Sequence, residues 1–73
     1  MKKGSVVKLN SGGPEMTIKR FIGDSDSQGD KLSDFAHRQN GFKEGDPYCV
    51  WFDSANKLKT GVFSTDMLQL IKE

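Results

Sequence analysis

The residues able to do chemistry are few and lie in separate parts of the sequence. The 73-residue chain has one histidine, His37, and one cysteine, Cys49. A nucleophile beside a base, or a pair of metal ligands, would need these two side chains to meet. No CxxC or HxxxH spacing supports a zinc site. We therefore interpret Cys49 as a small buried hydrophobic residue and His37 as a solvated residue, and we expect no enzyme, cofactor or metal.

Three further features resemble binding motifs but lack parts that those motifs need. The Gly12-Gly13-Pro14 run has no following Lys-Ser/Thr, so we interpret it as a tight turn rather than a phosphate loop. The aspartates of residues 24–30 lack the spacing and terminal glutamate of a calcium loop, which favours a solvated acidic loop. Asp53 follows a strand-like run, where an aspartate most often accepts hydrogen bonds from turn amides.

Length and composition define the broad class. A chain of this length makes one domain, residues 1–73, with a small core. Its 34% hydrophobic and 29% charged residues are ordinary for a globular protein. No apolar run approaches the roughly 20 residues that span a bilayer, and the basic start has no apolar run typical of a signal peptide. The single cysteine fits a reducing compartment, so we expect a cytoplasmic protein without membrane contact.

The charge is unevenly distributed along the chain. Residues 24–46 carry six acidic and three basic residues, a net charge of −3, whereas the remainder carries eight basic and four acidic residues, a net charge of +4. This difference predicts an acidic insert set into a mildly basic scaffold.

Alternating apolar and polar residues predict five short strands. The predicted strands are residues 5–9, 15–22, 48–53, 58–63 and 68–71. A single helical turn is expected over 64–67, before the last strand. Closure into a barrel would remove the exposed edges of strands this short, so we predict a small five-stranded SH3-like barrel.

The insert contains one helix pattern. Asp30 is a suitable N-cap for a helix from Lys31 to about Gln39, and Asn40-Gly41 is a suitable stop. Leu32, Phe35 and Ala36 have the spacing of one apolar stripe. Because a helix this short needs a surface to pack on, we expect the stripe to face the sheet.

Two motifs resemble those of a known family. Residues 11–18 read SGGPEMTI and residues 49–53 read CVWFD, followed by Lys59, Phe63 and Leu68. This pattern resembles the YodC-like family of small bacterial proteins of unknown function, over about residues 4–23 and 47–71. The resemblance implies a compact SH3-like β fold and a cytoplasmic bacterial protein, without any assigned activity. The long segment between the second and third strands departs from the family pattern.

Strand alternation defines a candidate contact surface. If Cys49 and Trp51 point inward, Tyr48, Val50 and Phe52 point outward, and alternation in the second strand places Phe21 outward as well. Either the insert helix covers these side chains, with Leu32, Phe35 and Phe42 packing on Phe21, Val50 and Phe52, or the patch binds a partner or a second copy. We favour helix cover, for which Phe35→Ala would cost about 2 kcal/mol or more of stability.

Two binding functions remain open. An aromatic face on an SH3-like fold favours a protein- or peptide-binding module, with Phe21, Tyr48, Val50 and Phe52 as candidate contacts. The alternative is weak nucleic-acid binding by scaffold cations, among them Lys19 and Arg20 beside Phe21. The near-neutral total charge and the acidic insert make nucleic acid the weaker alternative.

Overall fold

The computed structural model describes all 73 residues as five strands, one α-helix and one 3₁₀ turn. The elements are β1 (Val6–Leu9), β2 (Gly12–Phe21), α1 (Gln28–Gln39), β3 (Pro47–Phe52), β4 (Leu58–Val62), η1 (Thr65–Met67) and β5 (Leu68–Lys72). The predicted mostly-β fold class, with a helix between the second and third strands, is confirmed.

The strands form one antiparallel sheet in the order β4-β3-β2-β1-β5. Consecutive strands β1 to β4 are neighbours, and β5 returns to pair with β1. The hydrogen-bonded pairing therefore leaves β4 and β5 at the two edges of the sheet. Closure into a barrel stays a prediction.

Two turns join the paired strands. β2 begins at Gly12, three residues before the predicted start, because Gly12 already pairs with Leu9 across a turn at Asn10-Ser11. The run Gly12-Gly13-Pro14, predicted as the turn, therefore lies in the strand, where Gly12 and Gly13 adopt positive φ values of 112° and 97° that glycine tolerates. At the β3–β4 turn, the Asp53 carboxylate accepts hydrogen bonds from the amides of Ala55 and Lys57, both at 2.9 Å. This confirms the turn role predicted for Asp53.

One face of the sheet forms the core. The buried cluster is Val7, Met16, Ile18, Cys49 and Leu68. Leu9, Phe21, Trp51 and Phe63 are partly buried and pack against it. In β1 and β3, the inward-facing side chains are every second residue, as expected for strands with one buried face. They are Val7 and Leu9 in β1, and Cys49 and Trp51 in β3.

Helix α1 starts earlier than predicted. Its N-cap is Ser27 rather than Asp30, and the Asp30 carboxylate instead accepts a hydrogen bond from Ser25 Oγ at 2.7 Å. The helix ends at the predicted Asn40-Gly41 stop, where Gly41 has a φ of 96°. The insert extends beyond α1 to β3 through a loop in which Asp46 is buried. No helix of the chain has the length and apolar character needed to cross a membrane.

Candidate interaction surface

The outer face of the sheet, opposite the core, carries the side chains predicted for contact on β3. Cys49 is fully buried and Trp51 packs against the core, whereas Phe52 is 64% exposed. Tyr48 and Val50 lie on the same face as Phe52 and are half-buried. The predicted inward and outward alternation of β3 is therefore confirmed.

The alternation predicted for the end of β2 is wrong. Ile18 lies opposite Cys49, but the next pairs are Arg20 with Tyr48 and Phe21 with Pro47, so Lys19 is an extra residue that forms a β-bulge. One extra residue in a strand moves each side chain after it to the opposite face of the sheet. Phe21 consequently points into the core, and Arg20 points to the outer face.

The register shows which side chains share the outer face. One row crosses all five strands and contains Lys72, Val6, Thr17, Val50 and Thr60. In the neighbouring row Phe52 lies directly opposite Leu58, which is 59% exposed. We call Val50, Phe52 and Leu58 the outer patch. Phe52 and Leu58 therefore form a pair of large apolar side chains that face each other in solvent.

A buried ion pair attaches α1 to the outer face. Asp34 is buried, and its carboxylate accepts bidentate hydrogen bonds from Arg20, at 2.8 Å from Nη2 and 3.3 Å from Nη1. The Gly23 amide and the Tyr48 hydroxyl also donate to it, at 2.9 and 2.7 Å. The Arg20 guanidinium lies 4.0 Å from the centre of the Tyr48 ring, within the range of a cation–π contact. Charged and polar contacts therefore fix the centre of this helix.

These contacts and their burial shift the pKa values of Asp34, Arg20 and Tyr48. The hydrogen bonds from Arg20 hold the pKa of Asp34 far below its usual range, although burial acts in the opposite direction. The same hydrogen bond with Asp34 raises the pKa of Arg20. Desolvation by burial raises the pKa of Tyr48. The pair is therefore ionised, and the phenol stays neutral, throughout the ordinary pH range.

His37 belongs to this network, which corrects the prediction that it is solvated. Its Nδ1 lies 3.2 Å from the Tyr48 hydroxyl and 2.9 Å from the Ser33 carbonyl oxygen. The ring makes edge contacts with Tyr48 and with Phe42, whose backbone amide donates to the His37 carbonyl oxygen at 3.1 Å. The half-buried residues of α1, Asp30, Ser33 and His37, lie on the same side as Asp34.

The apolar stripe of α1 faces away from the sheet. Leu32 is 65% exposed, Phe35 is 60% exposed and Ala36 is also exposed. The predicted packing of Leu32 and Phe35 on the sheet is therefore wrong, because the polar side of the helix occupies that position. We call Leu32, Phe35 and Ala36 the helix stripe. The helix covers Arg20 and Tyr48 but leaves Phe52 exposed.

The predicted contact residues consequently divide into two groups. Val50, Phe52 and the exposed Lys19 remain on the surface. Phe21 is in the core, Arg20 is buried in the ion pair, and Tyr48 lies against α1, so these three do not offer a free contact surface. Sequence reasoning did not identify Leu58 or Asp34 as important. The signal for Asp34 was the polar spacing of residues 30, 34 and 37, which repeats once per helical turn.

The one thiol is buried in the core. Cys49 is 0% exposed, and burial raises its pKa to about 11. A buried, protonated thiol is a poor nucleophile, in agreement with its predicted role as a small hydrophobic residue. No group of three or more His, Cys, Asp or Glu side chains is arranged to hold a metal ion. In the acidic loop, Asp24 accepts a hydrogen bond from the Phe21 amide and pairs with Lys3 and Arg20.

The fold and surface define a small β-sheet protein with one inserted helix and exposed apolar side chains on two faces. The chain belongs to the family described as "Uncharacterized small protein (DUF2158)", which it matches over residues 2–68. The match includes the whole insert and both motifs seen in the sequence. Searches of curated proteins and of solved structures found no match to this chain.

Proposed function

We propose that this protein is a non-catalytic binding module, cytoplasmic and YodC-like, that recognises a protein or peptide partner through the outer patch. The single observation that supports the proposal most strongly is the Phe52–Leu58 pair, two large apolar side chains that face each other in solvent. Phenylalanine is enriched at the core of protein interfaces relative to the rest of the protein surface.

The environment of the outer patch favours a protein partner over nucleic acid. Arg20, one of the scaffold cations expected to contact phosphate, has its charge neutralised by Asp34 and is buried. Lys19 remains exposed, but the near-neutral total charge and the acidic insert weaken the electrostatic attraction of the scaffold for a polyanion.

The proposal is tested by capture from a native cell lysate with wild-type protein and a Phe52→Ser variant. Phe52 is mostly solvent-exposed, so the variant should fold normally, and we expect it to lose the captured partner. Thr17→Ser is the matched control, because Thr17 lies on the same outer face without contributing to the apolar pair. Equal capture by wild type and Phe52→Ser would contradict the proposal.

A DNA-column experiment tests the alternative, nucleic-acid binding. We expect the wild-type protein to pass through a DNA column without retention at low salt. Retention that Lys19→Gln abolishes and Phe52→Ser leaves unchanged would replace the protein partner with nucleic acid.

A further inference from the structure

Strand β4 has an unprotected edge. It lies at the end of the sheet, and its pairing with β3 runs through five consecutive residues without a register shift. The ladder is extended by hydrogen bonds from the Asp53 amide to the Lys57 carbonyl oxygen and from the Phe63 amide to the Pro47 carbonyl oxygen. The residues that make these two bonds, Lys57 and Phe63, flank β4 directly, and both have odd numbers.

The alternation of an antiparallel ladder then fixes where the other backbone groups point. Residues whose groups bond to the neighbouring strand alternate with residues whose groups point away from it. Since the odd-numbered residues bond to β3, the amides and carbonyls of Leu58, Thr60 and Val62 point to the free edge. No turn, loop or side-chain hydrogen bond reaches these three residues. The backbone of β4 therefore presents three unused donors and three unused acceptors.

The other edge of the sheet is better protected. β5 carries a register irregularity against β1, between Val6 and Val7, and ends in Lys72. Bulges and edge lysines are the common means by which sheet edges avoid pairing with other chains. β4 has neither a bulge nor a proline, and its one charged residue, Lys59, is paired with Asp53 of the adjoining turn at 3.8 Å.

We propose that β4 pairs with β4 of a second copy of this chain, antiparallel and with the two-fold axis at Thr60. This inference deepens the proposed function, on which it rests, by naming a second copy as one partner. In this register Thr60 lies opposite Thr60 of the second copy, and Leu58 lies opposite Val62. The three edge residues of each copy then form three pairs that exchange both backbone hydrogen bonds, so every free group of both edges is used.

The side chains are compatible with the same register. Leu58, Thr60 and Val62 lie on the outer face, so the exposed Leu58 gains an apolar cross-strand neighbour beside Phe52. Threonine opposite threonine is a favourable cross-strand pair. Lys59 lies opposite Gly61 rather than opposite a second lysine, so the pairing opposes no like charges. A shift of two residues in either direction leaves edge groups of both copies without partners.

The proposal is tested by analytical ultracentrifugation of the full chain from micromolar to millimolar concentration. We expect a monomer–dimer equilibrium that Thr60→Pro weakens by at least about tenfold, because proline removes the amide from both central hydrogen bonds. Proline is tolerated in edge strands where its nitrogen faces solvent. Thr60→Lys is a second variant that keeps the amide and opposes two like charges. The control is Thr17→Lys, which adds the same charge to an exposed position of a central strand.

Amide hydrogen exchange tests the register. The amides of Leu58, Thr60 and Val62 should exchange rapidly at low concentration and become protected at high concentration, whereas those of Lys59 and Gly61 are protected throughout by β3. A wild-type protein that stays monomeric at millimolar concentration would overturn the proposal, as would a dimer in which Leu58, Thr60 and Val62 still exchange rapidly. A dimer that Thr60→Pro leaves unchanged would overturn it as well. Partner capture that depends on Phe52 would be untouched by these failures.

Discussion

At the scale of single residues, Asp34 joins helix α1 to the sheet. Its carboxylate accepts hydrogen bonds from Arg20, Tyr48 and the Gly23 amide, and no buried side-chain nitrogen or oxygen in the structure lacks a partner. A buried ion pair is not by itself a strong source of stability, because desolvation offsets most of the attraction. Removing one member is costly, since the other charge stays buried without its closest partner.

Replacing Asp34 should therefore destabilise the protein strongly. We expect Asp34→Ala to lower the free energy of unfolding by about 3 kcal/mol, because it removes the bidentate acceptor of the Arg20 guanidinium and the shortest hydrogen bond of the Tyr48 hydroxyl. Only the longer ion pairs of Arg20 with Asp24 and Asp30, at 3.7 and 3.6 Å, remain. Urea denaturation followed by Trp51 fluorescence measures this. Asp26→Ala is the matched control: Asp26 is an exposed aspartate of the preceding loop, and its removal should change stability by less than about 0.5 kcal/mol. Equal effects of the two variants would contradict the assigned role.

The β-bulge at Lys19 limited how well the sequence predicted which side chains face the core. The facing of Cys49, Trp51 and Phe52 followed from simple alternation and is confirmed. The facing of Arg20 and Phe21 did not follow, because a bulge at Lys19 has no distinctive sequence signal and reverses the alternation after it.

At the scale of elements, α1 has the opposite polarity to a typical surface helix. Its polar residues contact the sheet, and its helix stripe of Leu32, Phe35 and Ala36 faces solvent. The sequence predicted that a helix exists and where it ends, since the apolar spacing and the Asn40-Gly41 stop are local signals. It did not predict which side docks. That choice depends on Arg20, which reaches the outer face only because of a bulge in another element.

Because the helix stripe is exposed to solvent, we expect its residues to contribute little to stability. Phe35→Ala should change the free energy of unfolding by less than about 0.5 kcal/mol, in place of the 2 kcal/mol or more expected from helix cover, because the ring is mostly exposed in the folded state. Thermal or urea unfolding measures the difference. Phe63→Ala serves as the comparison, because Phe63 packs against the core and its truncation should be clearly destabilising. A large loss of stability in Phe35→Ala would show that the stripe is covered in solution.

At the scale of the whole molecule, the fold class was readable from the sequence. Five alternating runs, their turns and the helical turn before the last strand gave the correct order of elements. The acidic residues 24–46 lie between β2 and β3 in the structure. The free edge of β4 was not anticipated, because it follows from the pairing order of the strands, which local sequence patterns do not show.

The whole molecule should also respond to acid through Asp34. Its folded-state pKa lies below its ordinary value of 3.8, so its contribution to stability is fully present above that pH and is lost as the pH falls further. We expect the unfolding free energy of the wild type to drop between about pH 4 and pH 2, and this part of the drop to be absent in Asp34→Asn. Urea titrations at a series of pH values test the difference. Parallel profiles for the two proteins would contradict it.

The bulge at Lys19 has a consequence for how the chain tolerates changes in length. Deleting that one residue would leave Ile18 opposite Cys49, Arg20 opposite Tyr48 and Phe21 opposite Pro47, now in strict alternation. The Arg20 guanidinium would stay on the outer face and the Phe21 ring in the core. The extra residue is therefore a position of β2 that can be lost while the core contact and the attachment of the acidic segment are both kept.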